Sequence, residues 1–207
     1  MSTADIHGQV GAYYGAKLAA HGATPNGVDW SSADSQCVRF EQLISVCDAS
    51  SRFSLNDVGC GYGALLGFLR ERSVDVDYRG YDLVPDMIAK ARELYPGAAF
   101  LGSGERLEPA DYTVASGIFN VKLTTPVDEW RDYIVQTIDD MARASRRGFA
   151  FNLLTSYSDA DRMRPDLYYG DPGWFFDLMK RQYSRWVAVL HDYGLYEFTI
   201  RVRKDPA

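Results

Sequence analysis

One short segment concentrates the chemistry of this chain: Asp57-Val58-Gly59-Cys60-Gly61-Tyr62-Gly63. Glycines at alternate positions let a backbone turn sharply, and they let a ligand approach where a Cβ would block it. The acid just before them restricts the ligand. Asp57 would repel a pyrophosphate and attract a ligand with a cationic end. The G-x-G-x-G spacing is followed by Ala64, which departs from the G-x-G-x-x-G run of dinucleotide-binding turns. A second acid, Asp82, follows about 20 residues later, the separation at which a carboxylate accepts hydrogen bonds from ribose hydroxyls. The pattern points to an adenosine-containing ligand.

Such a turn must sit between a strand and a helix. Phe53–Val58 reads as the strand, and 64–72 as the helix through Leu65, Leu66, Phe68 and Leu69. A strand over 76–81 ends at Asp82, and a helix over 85–94 follows. A weak third strand lies at 98–101 and a fourth at 112–118. Thr125 can cap the next helix, Pro126 suits its first position, and Asp128 and Glu129 favour its dipole. A fifth strand over 149–154, a Tyr- and Asp-rich loop and a helix at 173–183 lead to two last strands, 186–191 and 196–202. Alternating strands and helices predict a mainly parallel sheet covered on both faces. Only residues 192–195 separate the last two strands, too few for a crossover, so these pair as an antiparallel hairpin. Upstream, 8–20 reads as a weak amphipathic helix with Val10, Tyr13, Tyr14 and Lys17 at helical spacing. Gly22, Pro25 and Gly27 break it. Ser31 and Ser32 can cap a second helix carrying Phe40, Leu43, Ile44 and Cys47.

Asp57-x-Gly59-x-Gly61-x-Gly63 followed by Gly80-Tyr81-Asp82 resembles the class I S-adenosylmethionine (SAM)-dependent methyltransferases, over roughly residues 53–154 for the cofactor half. The resemblance implies an α/β fold: a Rossmann-like three-layer sandwich with a seven-stranded, mostly parallel sheet, a terminal antiparallel hairpin and an N-terminal helical lid. The expected organisation is one domain over 1–207, with the lid at 1–50 and the core at 51–207. It implies SAM as cofactor, whose ammonium and sulfonium suit an acid at position 57. Gly59, Cys60 and Gly61 would face the methionine portion, Asp82 the ribose, and Leu83 and Met87 the adenine. Gly104 and Glu105 would be further adenine contacts, although the acid usual directly after the third strand is missing here. Ser116 and Gly117 would meet the bound amino acid and the acceptor. On the leading helices Arg39 would pair with the SAM carboxylate, with Gln36 one turn earlier as its helper.

Methyl transfer is mainly positioning in a dry pocket, and needs a base only where the acceptor must lose a proton. Phe119, Asn120 and Tyr157 are the catalytic candidates, with 157–174 as the acceptor-selecting loop. Tyr13, Tyr14 and Trp30 are either lid aromatics or the apolar side of their helices. His191 and Asp192 are strand neighbours and point to opposite faces, so they do not form an acid–base pair. His7, His21 and His191 lack ligand spacing, so no metal is expected. The leading activity is methyl transfer to a small-molecule nucleophile, of a kind fitting bacterial-type secondary metabolism. A second is ring closure of SAM itself to azetidine-2-carboxylate, releasing methylthioadenosine, with Asn120 and Tyr157 holding the ammonium. A third is an NAD-dependent oxidoreductase, which Asp57 and the glycine spacing oppose. A fourth is SAM binding without chemistry.

The bulk of the chain narrows the partners. Its 207 residues carry a net charge of -6, so no basic field exists to hold a nucleic-acid backbone. Cys37, Cys47 and Cys60 form no CxxC pair and are odd in number, which suits reduced thiols. With no apolar run of membrane-spanning length and no signal pattern, a cytoplasmic location without membrane partners is expected. Nothing in the sequence indicates an oligomeric state.

Overall fold

The computed structural model describes residues 2–204. The chain opens with helix α1, Thr3–His21, fixed at its start by a reciprocal cap. The Asp5 amide donates to Ser2 Oγ at 3.2 Å and the Ser2 amide to Asp5 Oδ2 at 2.9 Å. Only Ile6 and Val10 of α1 are buried, and Gly8, Gly11 and Gly15 interrupt it. After a 3-10 turn at Pro25–Val28, Asp29 takes a left-handed backbone at φ 63°. Its carboxylate accepts from Tyr13 Oη at 2.7 Å and Lys17 Nζ at 2.6 Å, tying the turn to α1. Helix α2, Ala33–Ile44, starts at Ser32, whose Oγ accepts from the Ser35 amide.

The core then alternates as read from the sequence. Strand β1 (Phe53–Val58) leads to α3 (Ala64–Glu71), β2 (Val76–Tyr81) to α4 (Pro85–Leu94), and β3 (Ala99–Leu101) to β4 (Ala110–Ala115). Helix α5 (Val127–Ala144) precedes β5 (Ser145–Thr155). Beyond them lie β6 (Tyr169–Gly170), α6 (Pro172–Gln182), β7 (Trp186–Leu190) and β8 (Glu197–Arg203). The sheet order is β3-β2-β1-β4-β5-β8-β7. Every pair from β3 to β5 is parallel, whereas β8 runs antiparallel to both β5 and β7. The terminal hairpin is present, and its second strand is the one inserted beside β5. The two-residue β6 is an addition to the seven expected strands; it pairs with Leu154 and Thr155 past the end of β4.

Helices cover both faces because both faces are apolar. One layer packs Trp130, Ile134 and Ile138 of α5 and Phe175 of α6 against Phe149, Phe151 and Phe198. The other packs Phe40, Leu43, Leu65 and Leu69 against Leu55, Tyr112 and Val114. Each large side chain buried this way contributes about 1.5–3 kcal/mol. Two local details differ from the sequence reading. Pro126 occupies the capping position of α5, and no side-chain cap bond forms there. Strand β4 ends at Ala115, leaving residues 116–118 beyond it on the carboxyl rim. The connection 102–109 contains no helix, so the sheet stays open beside it.

Candidate functional site

A cavity of about 610 Å³ lies where the carboxyl ends of β1, β2 and β4 meet the underside of α1. Open α/β sheets place ligands at this rim. Its floor is the glycine turn. Gly59, Gly61 and Gly63 all have positive φ. Gly59 shows the need most clearly: φ is 76°, and a Cβ would stand 2.0 Å from Ile118 Cγ2.

The turn commits its amides to β2. Those of Gly59 and Cys60 both donate to the Tyr81 carbonyl, at 2.7 and 3.0 Å. That of Gly61 donates to Asp82 Oδ2 at 2.8 Å, and Asp82 Oδ1 accepts from the Val84 amide at 2.8 Å. These three amides are therefore not free for a pyrophosphate, which weighs against a dinucleotide at the turn. Asp82 keeps spare lone pairs on both oxygens, facing the cavity, and burial raises its pKa. Asp57 is deeper. Burial pushes its carboxyl up to about 7, against the hydrogen bond from Tyr78 Oη at 2.6 Å, with Asp82 adding repulsion. A cation beside it would restore the ionised form.

Most of the expected cofactor residues converge here. Asp57, Gly59, Cys60, Gly61, Asp82 and Leu83 line the cavity, as do Met87, Gly104, Glu105, Ser116 and Gly117. Burial holds the Cys60 thiol well above its ordinary range, so it stays protonated and packs as a small hydrophobe. Ser116 Oγ is buried without a hydrogen-bond partner at the end of β4.

Arg39 is not among them. Its guanidinium binds Glu197 in a fork, Nε to Oε2 at 2.9 Å and Nη2 to Oε1 at 2.7 Å, and Nη1 donates to the Ser35 carbonyl. Both partners are buried. Glu197 also accepts from Asn152 Nδ2 at 2.9 Å, and Asn152 Oδ1 accepts from the Gly117 amide at 2.7 Å. Trp30 lies over Arg39, 3.9 Å from guanidinium carbon to ring centroid. A Cβ on Gly117 would fall 2.2 Å from the Trp30 ring, so glycine there admits the indole to the cavity wall. The fork expected to hold a ligand carboxylate instead clamps α2 and Trp30 onto the sheet. Gln36 does line the cavity, and accepts a long hydrogen bond from Tyr62 Oη at 3.4 Å.

The three catalytic candidates are also elsewhere. Phe119 is fully buried against Phe151, and its carbonyl accepts from Trp130 Nε1. Asn120 Oδ1 accepts from the Leu154 amide at 3.0 Å, and its carbonyl from the Tyr168 amide at 2.8 Å. Asn120 is thus a pin between the β4 end, β5 and the loop before β6. Tyr157 is 76% exposed and rests against His191. The loop 157–174 does not line the cavity. The wall under α1 comes from His7, Val10 and Tyr14 on that helix and from Tyr133 and Thr137 on α5. The α1 trio follows helical spacing, but a helix read from residue 8 leaves His7 outside it. The α5 residues carry no local motif. Among the described residues no group of His, Cys, Asp and Glu could hold a metal ion, and no helix is long and apolar enough to cross a membrane.

The chain is similar to known proteins. A family profile described as a methyltransferase domain matches residues 56–149. Rv1506c of Mycobacterium tuberculosis (strain ATCC 25618 / H37Rv), which carries a methyltransferase name, is 54% identical over 164 residues, 78% of this chain and 99% of that protein. The chain belongs to the class I SAM-dependent methyltransferases. Two solved structures share this methyltransferase's fold. Human N-acetylserotonin methyltransferase in complex with SAM aligns with TM-score 0.59 and 14% identity, over 96% of this chain and 56% of that one. SAM-bound CalS10, an amino pentose methyltransferase of Micromonospora echinaspora, aligns with TM-score 0.54 and 15% identity, over 81% and 90%. SAM is the cofactor, and the site suits it: an uncompensated buried acid for a cation, free Asp82 lone pairs for a diol, and the orphaned Ser116 hydroxyl.

Proposed function

We propose that this methyltransferase acts on a small-molecule nucleophile held between α1, α5 and the end of β4. The cavity carries this reading: it is continuous from the glycine turn to His7 and Tyr133, under a helical roof. The net charge of -6 argues against a phosphate backbone as acceptor.

In this reading SAM supplies an electrophilic methyl group on a sulfonium. The chain's own residues do the rest. Asp82 accepts from the ribose hydroxyls. Asp57 provides the negative potential that favours the cationic ligand, and regains its charge as it does so. Leu83 and Met87 pack near the adenine, with Gly104 and Glu105 at its rim. Gly59, Cys60, Gly61, Ser116 and Gly117 border the methionine portion. Tyr14 lines the cavity, and burial and the nearby Asp29 and Asp82 raise its phenol pKa, so it serves as a donor and not as a base. Roof and wall exclude water from the transfer. Ring closure of SAM loses its support, because Asn120 and Tyr157, its expected ammonium partners, lie outside the cavity.

The test is product analysis. Purified protein is incubated with SAM alone and with a small-molecule extract. S-adenosylhomocysteine (SAH) appearing only with the extract is the expected result. Methylthioadenosine from SAM alone would replace methyl transfer by cyclisation or lysis.

A further inference from the structure

We propose that His7 is the general base of the transfer, and that the acceptor attacks through a hydroxyl group whose proton His7 removes. This deepens the methyl-transfer reading and rests on it. Helix α1 crosses the rim from one side of the cavity to the other. Its C-terminal half packs on α4, where Leu18 joins Val84 and Met87. Its N-terminal half reaches α5, where the His7 ring stands edge-on to Tyr133 with centroids 5.6 Å apart. His7, Val10 and Tyr14 form one face that looks into the cavity. Tyr14 lies toward Asp82, and His7 lies across the glycine turn, beside α5 and the end of β4.

The other groups facing this space are committed or remote. Asp57 holds Tyr78, and Asp82 holds two backbone amides. On α5, Asp140 is paired with Arg143, and burial raises the Tyr133 phenol, which keeps its proton. Glu105 and Arg106 are exposed to solvent on the connection after β3. His7 remains. Neither ring nitrogen has a hydrogen-bond partner among the described residues, and burial lowers the imidazole pKa, so the ring is neutral at pH 7 with a lone pair to offer.

A neutral base between Val10 and Tyr133 suits a neutral hydroxyl. Among the described residues, the α5 carboxylate that lines the cavity, Asp140, is paired with Arg143 and so is not free to attract an ammonium acceptor. In the step, an oxygen lone pair forms the C–O bond to the methyl carbon. The S–CH₃ bond breaks with its electron pair moving to sulfur, which becomes a neutral thioether. The O–H pair stays on oxygen, and the proton passes to the imidazole, which later releases it to water.

Three measurements on the full chain test this. Calorimetry with SAH first establishes that wild type and His7→Gln bind alike, within about threefold. Histidine C2–H resonances of the SAH-loaded protein, assigned with His7→Gln and His21→Gln, then give the His7 pKa, expected below the ordinary histidine range. Finally, SAH release at saturating SAM is followed from pH 5.5 to 8.5 with a panel of phenols, aliphatic alcohols, thiols and amines. Wild type and His21→Gln should lose rate as pH falls through the His7 pKa, and His7→Gln should be slower by about 100-fold or more without that limb. An imidazolium at pH 7, or a His7→Gln enzyme with wild-type rate and profile, overturns the assignment of the base. Release that occurs with thiols or amines and never with hydroxyls overturns the acceptor class. Absence of acceptor-dependent SAH release in wild type defeats the underlying methyl-transfer reading as well.

Discussion

The rim around residues 57–87 and the α1–α5 side of the same cavity are built in opposite ways. The first is local: a strand end, a glycine turn and the next strand end, with Asp82 capping the turn that it faces. The second is assembled from α1, Trp30 and α5, which meet only in the folded chain. The residues that follow β4 look functional by position, yet Phe119 and Asn120 serve the core, and Arg39 serves the seam between α2 and the sheet. Nearness to a binding motif along the chain thus says little about which way a side chain turns.

Substitutions on the two sides should separate cleanly. Arg39→Ala leaves Glu197 buried without its guanidinium and should cost about 3–5 kcal/mol in denaturant unfolding, with SAH affinity of the folded protein reduced less than about tenfold. Lost binding at full stability would instead return Arg39 to the cofactor. Asp82→Ala should reverse the pattern. Losing charge-assisted hydrogen bonds together worth about 3 kcal/mol lowers SAH affinity about 100-fold by calorimetry, while thermal unfolding stays cooperative. Asn120→Ala leaves the Leu154 amide unsatisfied and should destabilise by about 1–3 kcal/mol without changing SAM affinity.

Asp57 sharpens the contrast through pH. In the free protein its carboxyl is neutral below about 7, whereas a cationic ligand prefers it ionised. SAM affinity should therefore rise with pH, by up to about tenfold per unit, and level off above 7; Asp57→Asn should flatten the curve. The sign for free-protein stability is the reverse, since a raised carboxyl pKa contributes stability that fades as pH climbs through 7. Tyr157→Ala, at a 76% exposed position, should change stability by less than about 0.5 kcal/mol and leave turnover intact.

The sequence was legible where one residue's requirement is local. Gly59 at φ 76° and the glycine-and-acid spacing announce the turn, and helical periodicity gave α4 its bounds, Pro85–Leu94. The four residues between the last strands required the hairpin. Less legible was any residue whose role depends on a distant partner. Arg39 and Glu197 are 158 positions apart, and their fork leaves no trace in either segment. His7 was hidden differently: Gly8 and Gly11 weaken the helical pattern at the point where α1 begins to face the cavity.

Those glycines have a further effect. At Gly8 and Gly11 a Cβ would meet nothing within 4 Å, so packing does not require them. Each glycine within a helix lowers its stability by about 0.8–1 kcal/mol relative to alanine, close to 3 kcal/mol for all three in α1. With two buried side chains to set against that, α1 is expected to unfold locally before the sheet does. Its amide protons should exchange early in hydrogen exchange, ahead of those of the sheet beneath it.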